Sequence, residues 1–209
     1  MGNYKWGGMS EDKARPIKVC LFISRNKDNR EIANHKDRRK AFLTRKDPAD
    51  LMPAFMDFVN NGLYGEFCRM YMSVNARDET KVKKQWIHYL VDDEGVNLEY
   101  IEAKLAGIAA QKECAAEKKW MFDFDSQDAD MRDAFVKDIL ECDPHVSVSA
   151  YPTPHGYAII TNRGFEARLK DKTLLMDKWK DVATLKRDDM LCAYWTRKGE
   201  ANEKDTDTI

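Results

Sequence analysis

The sequence predicts an α+β fold, an RRM-like antiparallel or mixed sheet with helices packed on one face. Three observations lead there. Phe67-Cys68-Arg69-Met70-Tyr71-Met72-Ser73-Val74-Asn75 alternates as a half-buried strand does, with Cys68, Met70, Met72 and Val74 on one face and Arg69, Tyr71, Ser73 and Asn75 on the other. Longer stretches carry apolar residues at helical spacing. The resulting order of strand, helix, helix, strand, helix, strand, strand suits an antiparallel or mixed sheet rather than a doubly wound one.

In chain order, residues 1–16 read as a polar, flexible lead. Val19-Cys20-Leu21-Phe22-Ile23 is a short buried strand. The charged segment from Asn26 to Lys46, with Arg38-Arg39-Lys40 and Arg45-Lys46, reads as a solvated loop or helix face, or as an arm that touches nucleic-acid phosphates. Asp47-Pro48-Ala49-Asp50 opens a helix with capping residues and an early Pro, and Asn60-Asn61-Gly62 closes it. Two more helices follow the alternating strand. One runs from about Glu79 to Val91, with Val82, Trp86, Tyr89 and Leu90 as a core stripe; the other runs from about Leu98 to Lys119.

Next comes Trp120-Met121-Phe122-Asp123-Phe124-Asp125, then a helix from about Ala129 to Cys142. Val146–Tyr151 and Tyr157–Thr161 form a hairpin around Pro152-Thr153-Pro154-His155-Gly156, and a second hairpin is expected around Lys186-Arg187-Asp188-Asp189. Residues 17–197 thus make a single α+β domain, with 17–66 as an accessory lobe beside a core of 67–197. Residues 198–209 are a polar, disordered tail.

Bulk properties bound the function. A net charge of -1 argues against a wholesale polyanion binder but leaves local phosphate sites open. The five cysteines are far apart, without metal-binding spacing, and read as reduced thiols. No apolar stretch suits a signal peptide or a membrane span, and Trp6 stands where a myristoylation signal expects Ser or Thr. Together these features imply a cytoplasmic protein with no membrane partner.

The chemistry centres on Asp123 and Asp125. Alternate side chains of a strand share a face, so the two carboxylates project together while Phe122 and Phe124 enter the core. Paired carboxylates repel unless a cation lies between them, and their hard oxygens suit Mg2+ or Mn2+. If the polar faces of the two strands coincide, Arg69, Tyr71, Ser73 and Asn75 share an open surface with the aspartates, the mixture of charges that a metal–phosphate site needs.

These motifs resemble those of the archaeo-eukaryotic primase and primase-polymerase superfamily. Met121-Phe122-Asp123-Phe124-Asp125 is similar to its first motif, and Thr153-Pro154-His155-Gly156-Tyr157-Ala158 to the hairpin that follows. The resemblance covers roughly Phe67 to Trp195. It implies a nucleotidyltransferase with an RRM-like core, acting on nucleic acid and nucleoside triphosphates by two-metal phosphoryl transfer, with replication proteins as partners and a virus or mobile element as a fitting source. Asp123 and Asp125 would hold the metal, with Asp188, or its neighbour Asp189, as a late third carboxylate. Arg69, Asn75, His155, Arg163 and Lys186 would contact substrate phosphate. The chain departs from the family at Ala158, where the family has a phosphate-binding His, and this puts polymerisation in question.

Two other readings compete. A degenerate primase-like fold would serve as a nucleotide or single-strand binding module, or as an interaction subunit. The D-x-D pair also resembles the start of haloacid-dehalogenase phosphatases, but Gln127 stands where they have Thr or Val, and they need a parallel sheet after an early strand.

Overall fold

A computed structural model describes residues 15–92 and 97–199. The predicted α+β class holds, but the strands divide between two four-stranded antiparallel sheets instead of sharing one. The lead and the tail lie outside the described residues except at their inner ends. There Arg15 pairs with Asp47 and Asp50, and Lys198 donates through Nζ to the carbonyls of Asn60 and Gly62.

The first sheet contains β1 (Lys18–Ser24), β2 (Arg38–Thr44), β3 (Phe67–Ser73) and β8 (Met190–Arg197), in the order β2-β1-β3-β8. Residues 17–66 are therefore no accessory lobe, because β1 and β2 hydrogen-bond into the sheet that holds β3. The strand β2 was hidden by its charges. It is an edge strand, where Arg39 and Lys40 are solvated while Ala41 and Leu43 pack inward. Helix α1 (Pro48–Asn60) covers one face of this sheet, closing a core of Phe22, Phe55, Val59, Met70 and Met72. Asp47 does not cap that helix with its side chain, which pairs with Arg15 instead.

Helices α2 (Glu79–Asp92) and α3 (Ile101–Ala109) pack Val82, Ala106 and Ala109 against Val19, Ala41 and Leu43. The expected helix from Leu98 to Lys119 is shorter than its pattern. Alpha-helix ends at Ala109, and one 3-10 turn over Lys112–Cys114 leads into extended chain.

The second sheet has the order β5-β6-β4-β7, formed by β4 (Trp120–Phe124), β5 (Val148–Thr153), β6 (Gly156–Thr161) and β7 (Ala183–Lys186). Helix α4 (Ala129–Cys142), capped by Asp128, and the short α5 (Leu175–Lys178) cover its outer face. Phe122, Phe124, Phe135, Ile139 and Ile159 pack there, as alternation along β4 requires.

Two hairpin expectations change. The first is tighter than predicted: Pro152 and Thr153 belong to β5, and only Pro154 and His155 separate Thr153 from its partner Gly156. The second does not exist, because β7 pairs with β4 and β8 with β3, so residues 187–189 cross from one sheet to the other. Val74, Met121, Ala158, Ile160 and Leu191 form the apolar joint where the sheets meet.

Candidate functional site

Beside that joint the face of the first sheet turned away from α1 and the face of the second turned away from α4 enclose a cleft of about 520 Å3. Alternation delivers its walls. Leu21 and Ile23 of β1, with Arg69 and Tyr71 of β3, stand on one side; Met121 and Asp123 of β4, Ala158 of β6 and Lys186 of β7 stand on the other. Asp125, one residue beyond β4, and Asp189, on the crossing, complete the acidic part. Arg69 and the aspartates therefore do meet, across a cleft between two sheets and not on one open sheet face.

The end of β4 is fixed by backbone contacts. The amide of Asp125 donates to the carbonyl of Val182 at 2.7 Å, and β6 begins with a buried glycine. A Cβ on Gly156 would lie 2.0 Å from the Phe124 carbonyl oxygen and 2.8 Å from the Ser126 nitrogen. Only glycine permits that approach, which brings the hairpin against the aspartate-bearing turn.

The carboxylates here are crowded. Burial pushes the carboxyl of Asp123 above its ordinary range; the charges of Asp125 and Asp189 push it further, opposed by Lys186 and His155. Among the described residues no three His, Cys, Asp or Glu side chains gather tightly enough to hold an ion alone. A magnesium-type site needs only one or two protein carboxylates, completed by water and substrate phosphate. Asp123 and Asp125, with Asp189 beside them, are the residues that would hold it.

Opposite them Arg69 is buried and held from three sides. It donates to the Tyr71 hydroxyl at 3.2 Å and to Asp28 at 3.0 Å, and its Nη2 lies 3.3 Å from His155 Nε2. Its Nε is buried without a partner among the described residues. Asp28 also takes Arg25 at 2.8 Å. Arg25, Lys27 and Asp28 reach the cleft from the 3-10 turn after β1; Lys27 and Asp28 belong to the charged segment from Asn26 to Lys46, and Arg25 immediately precedes it. Their signal was position: they follow directly on a strand whose alternate residues line the site.

The other predicted residues go elsewhere. Asp188 is not in the cleft. Its carboxylate takes both Arg77 terminal nitrogens, at 2.7 and 3.0 Å, and Asn75 Nδ2 at 3.0 Å. Asn75 is fully buried and also bonds the Lys119 backbone in both directions, so it ties segments together and does not face substrate. Chain direction reverses the preference between the two aspartates, because consecutive residues of the crossing face opposite ways and it is Asp189 that enters the cleft. Arg163 pairs with Asp143 at 2.7 Å, away from the cleft. Lys186 and His155 line it as expected.

A phosphatase of the haloacid-dehalogenase kind does not fit, because β4 lies between antiparallel neighbours β6 and β7. Among the described residues no helix is long and apolar enough to cross a membrane. No family model, no curated protein and no solved structure matches the chain.

Proposed function

We propose that the chain is a primase-polymerase-like nucleotidyltransferase acting on nucleic acid by divalent-metal phosphoryl transfer. One observation carries the reading: Asp123, Asp125 and Asp189 crowd one wall of a cleft whose opposite wall presents Arg69. Carboxylates that repel one another, facing a fixed guanidinium, form a site for a cation and a phosphate together. Mg2+ or Mn2+, when bound, neutralises charge on the transferring phosphoryl group and makes the attacking hydroxyl more acidic. Arg69, fixed by Asp28, and Lys186 would hold phosphate oxygens, and Leu21, Ile23 and Met121 offer apolar surface to a sugar or base. Nucleoside triphosphates, nucleic acid and replication proteins are the partners this implies. Five free cysteines fit a cytoplasmic setting, and a virus or mobile element is a fitting source.

The second reading, a binding module without turnover, draws on Ala158. It lies directly across from Asp123 in the β4–β6 register and brings no donor to the cleft. Incorporation of labelled nucleotides on primed and unprimed templates with Mn2+ separates the two. Wild type is expected to extend the strand, and Asp123→Asn to lose at least a hundredfold of that rate while staying folded. Nucleotide binding without incorporation, equal in wild type and variant, would sink the enzyme reading.

A further inference from the structure

The cleft does not end at its charged walls. Past Lys27, Arg69 and His155 it opens into a hollow of about 430 Å3 lined by Phe67, Trp195 and Arg197. From Trp195 a second hollow of about 220 Å3 runs between the edge strands β5 and β8, bounded by Tyr151, Pro152, Leu191 and Ala193. Tyr151, Leu191 and Ala193 carry it into a third, of about 260 Å3, that contains Lys18, Lys119, Ser149 and Asn162. The first and second hollows meet at Trp195, and the second and third at Tyr151, Leu191 and Ala193, so they line up as one seam between the two sheets.

The seam is basic at its two ends and uncharged between them. No Asp or Glu lines the second or third hollow, and the carboxylate of the first, Asp28, is committed to Arg25 and Arg69. In a chain with 36 acidic and 35 basic residues, the two ends, with Lys27 and Arg197 at one and Lys18 and Lys119 at the other, suit a polyanion, and the uncharged stretch between them suits its bases. Between the cationic ends stand aromatic faces: Tyr151 is 44% exposed on β5, and Trp195 borders both neighbouring hollows.

An added peptide strand would suit the edges poorly. Pro152 removes a donor from β5, and the register shift opposite Met70 and Tyr71 makes Ala193 an extra residue in β8. Bases stack on aromatic faces without needing a regular strand edge, and phosphates follow lysine and arginine.

We propose that the seam is a track for single-stranded nucleic acid, which stacks bases on Tyr151 and Trp195 and enters the cleft past His155. Lys27 and Arg197 hold its phosphates near the cleft; Lys18 and Lys119, the latter also paired with Glu117, hold them at the far end. The inference rests on reading the cleft as a nucleic-acid site and names where the strand runs.

The test is fluorescence anisotropy of the full chain with labelled oligothymidylates of about 4 to 16 nucleotides, without divalent cation or triphosphate, so that it is independent of turnover. Affinity is expected to rise with length until the seam is filled. Tyr151→Ala, at an exposed position that does not endanger folding, should weaken binding about tenfold, and Tyr151→Phe should restore it. Lys27→Ala should reduce the slope of log affinity against log salt by about 0.7. Absence of length-dependent binding, or binding that Tyr151→Ala leaves unchanged, overturns the track. Strand binding through Tyr151 in a chain that incorporates no nucleotide keeps the track and removes only the polymerase.

Discussion

Two groups of carboxylates flank the crossing from β7 to β8, and their surroundings are opposite. Asp188 is nine-tenths buried and fully paired, accepting from Arg77 and Asn75. One residue on, Asp189 joins Asp123 and Asp125, where the aspartates raise the Asp123 carboxyl against the opposing charge of Lys186. Compensated buried charge fixes geometry, whereas the like charges at Asp123, Asp125 and Asp189 are the ones that the proposed cation would relieve. The comparison breaks most readily at Asp188→Ala. It leaves Arg77, 1% exposed, without its counter-charge, and should cost about 3–5 kcal/mol in chemical denaturation. Asp189→Asn should stay within about 0.5 kcal/mol of wild type and lower incorporation instead. If the stability losses came out the other way round, the assignment of the two aspartates would be reversed.

A smaller loss tests how the crowded group is held. Gly156→Ala places a methyl against the Phe124 carbonyl and the Ser126 amide, both backbone atoms that cannot rotate aside. An overpacking cost of about 1–3 kcal/mol is expected, together with a shift of the turn that carries Asp125. Amide chemical shifts confined to residues near 124–126 and 156 would report that shift. A variant as stable as wild type would show that the close approach is not needed.

The legible part of the site was the part that depends on period. Alternation placed Asp123 and Asp125 on one face and Phe122 and Phe124 in the core, and the same rule put Arg69 and Tyr71 on the face that proves to line the cleft. What alternation cannot state is which sheet a strand joins. The pattern of β3 read as one packed and one open face, yet Arg69, Ser73 and Asn75 are all buried, because the second sheet closes over part of that face. The same gap turned the crossing at 187–189 into an apparent hairpin and left Asp188 and Asp189 interchangeable, since a two-strand reading holds no information about the Arg77 that claims one of them. The strand β2 was missed for a simpler reason: its exposed edge is charged, and charge alone reads as loop.

The smallest expected effect separates the two groups by pH. Burial, then Asp125 and Asp189, raise the pKa of Asp123 in the fold, so the native state favours the neutral acid. The stability this contributes is fully present below the ordinary carboxylate range and is lost as pH rises through the raised value. At neutral pH, without divalent cation, the ionised side chain strains the cleft, and Asp123→Asn should be the more stable protein by up to about 1 kcal/mol. The difference should vanish in acid, where wild type is also uncharged at this position. Added Mn2+ should reverse the order, because the cation stabilises only the chain that retains the carboxylate. Thermal unfolding of both proteins across pH, with and without the metal, reads all three outcomes. A cation that stabilises wild type and variant equally would mean the crowding at Asp123 is relieved by Lys186 alone, and the acidic wall would join Asp188 as structure.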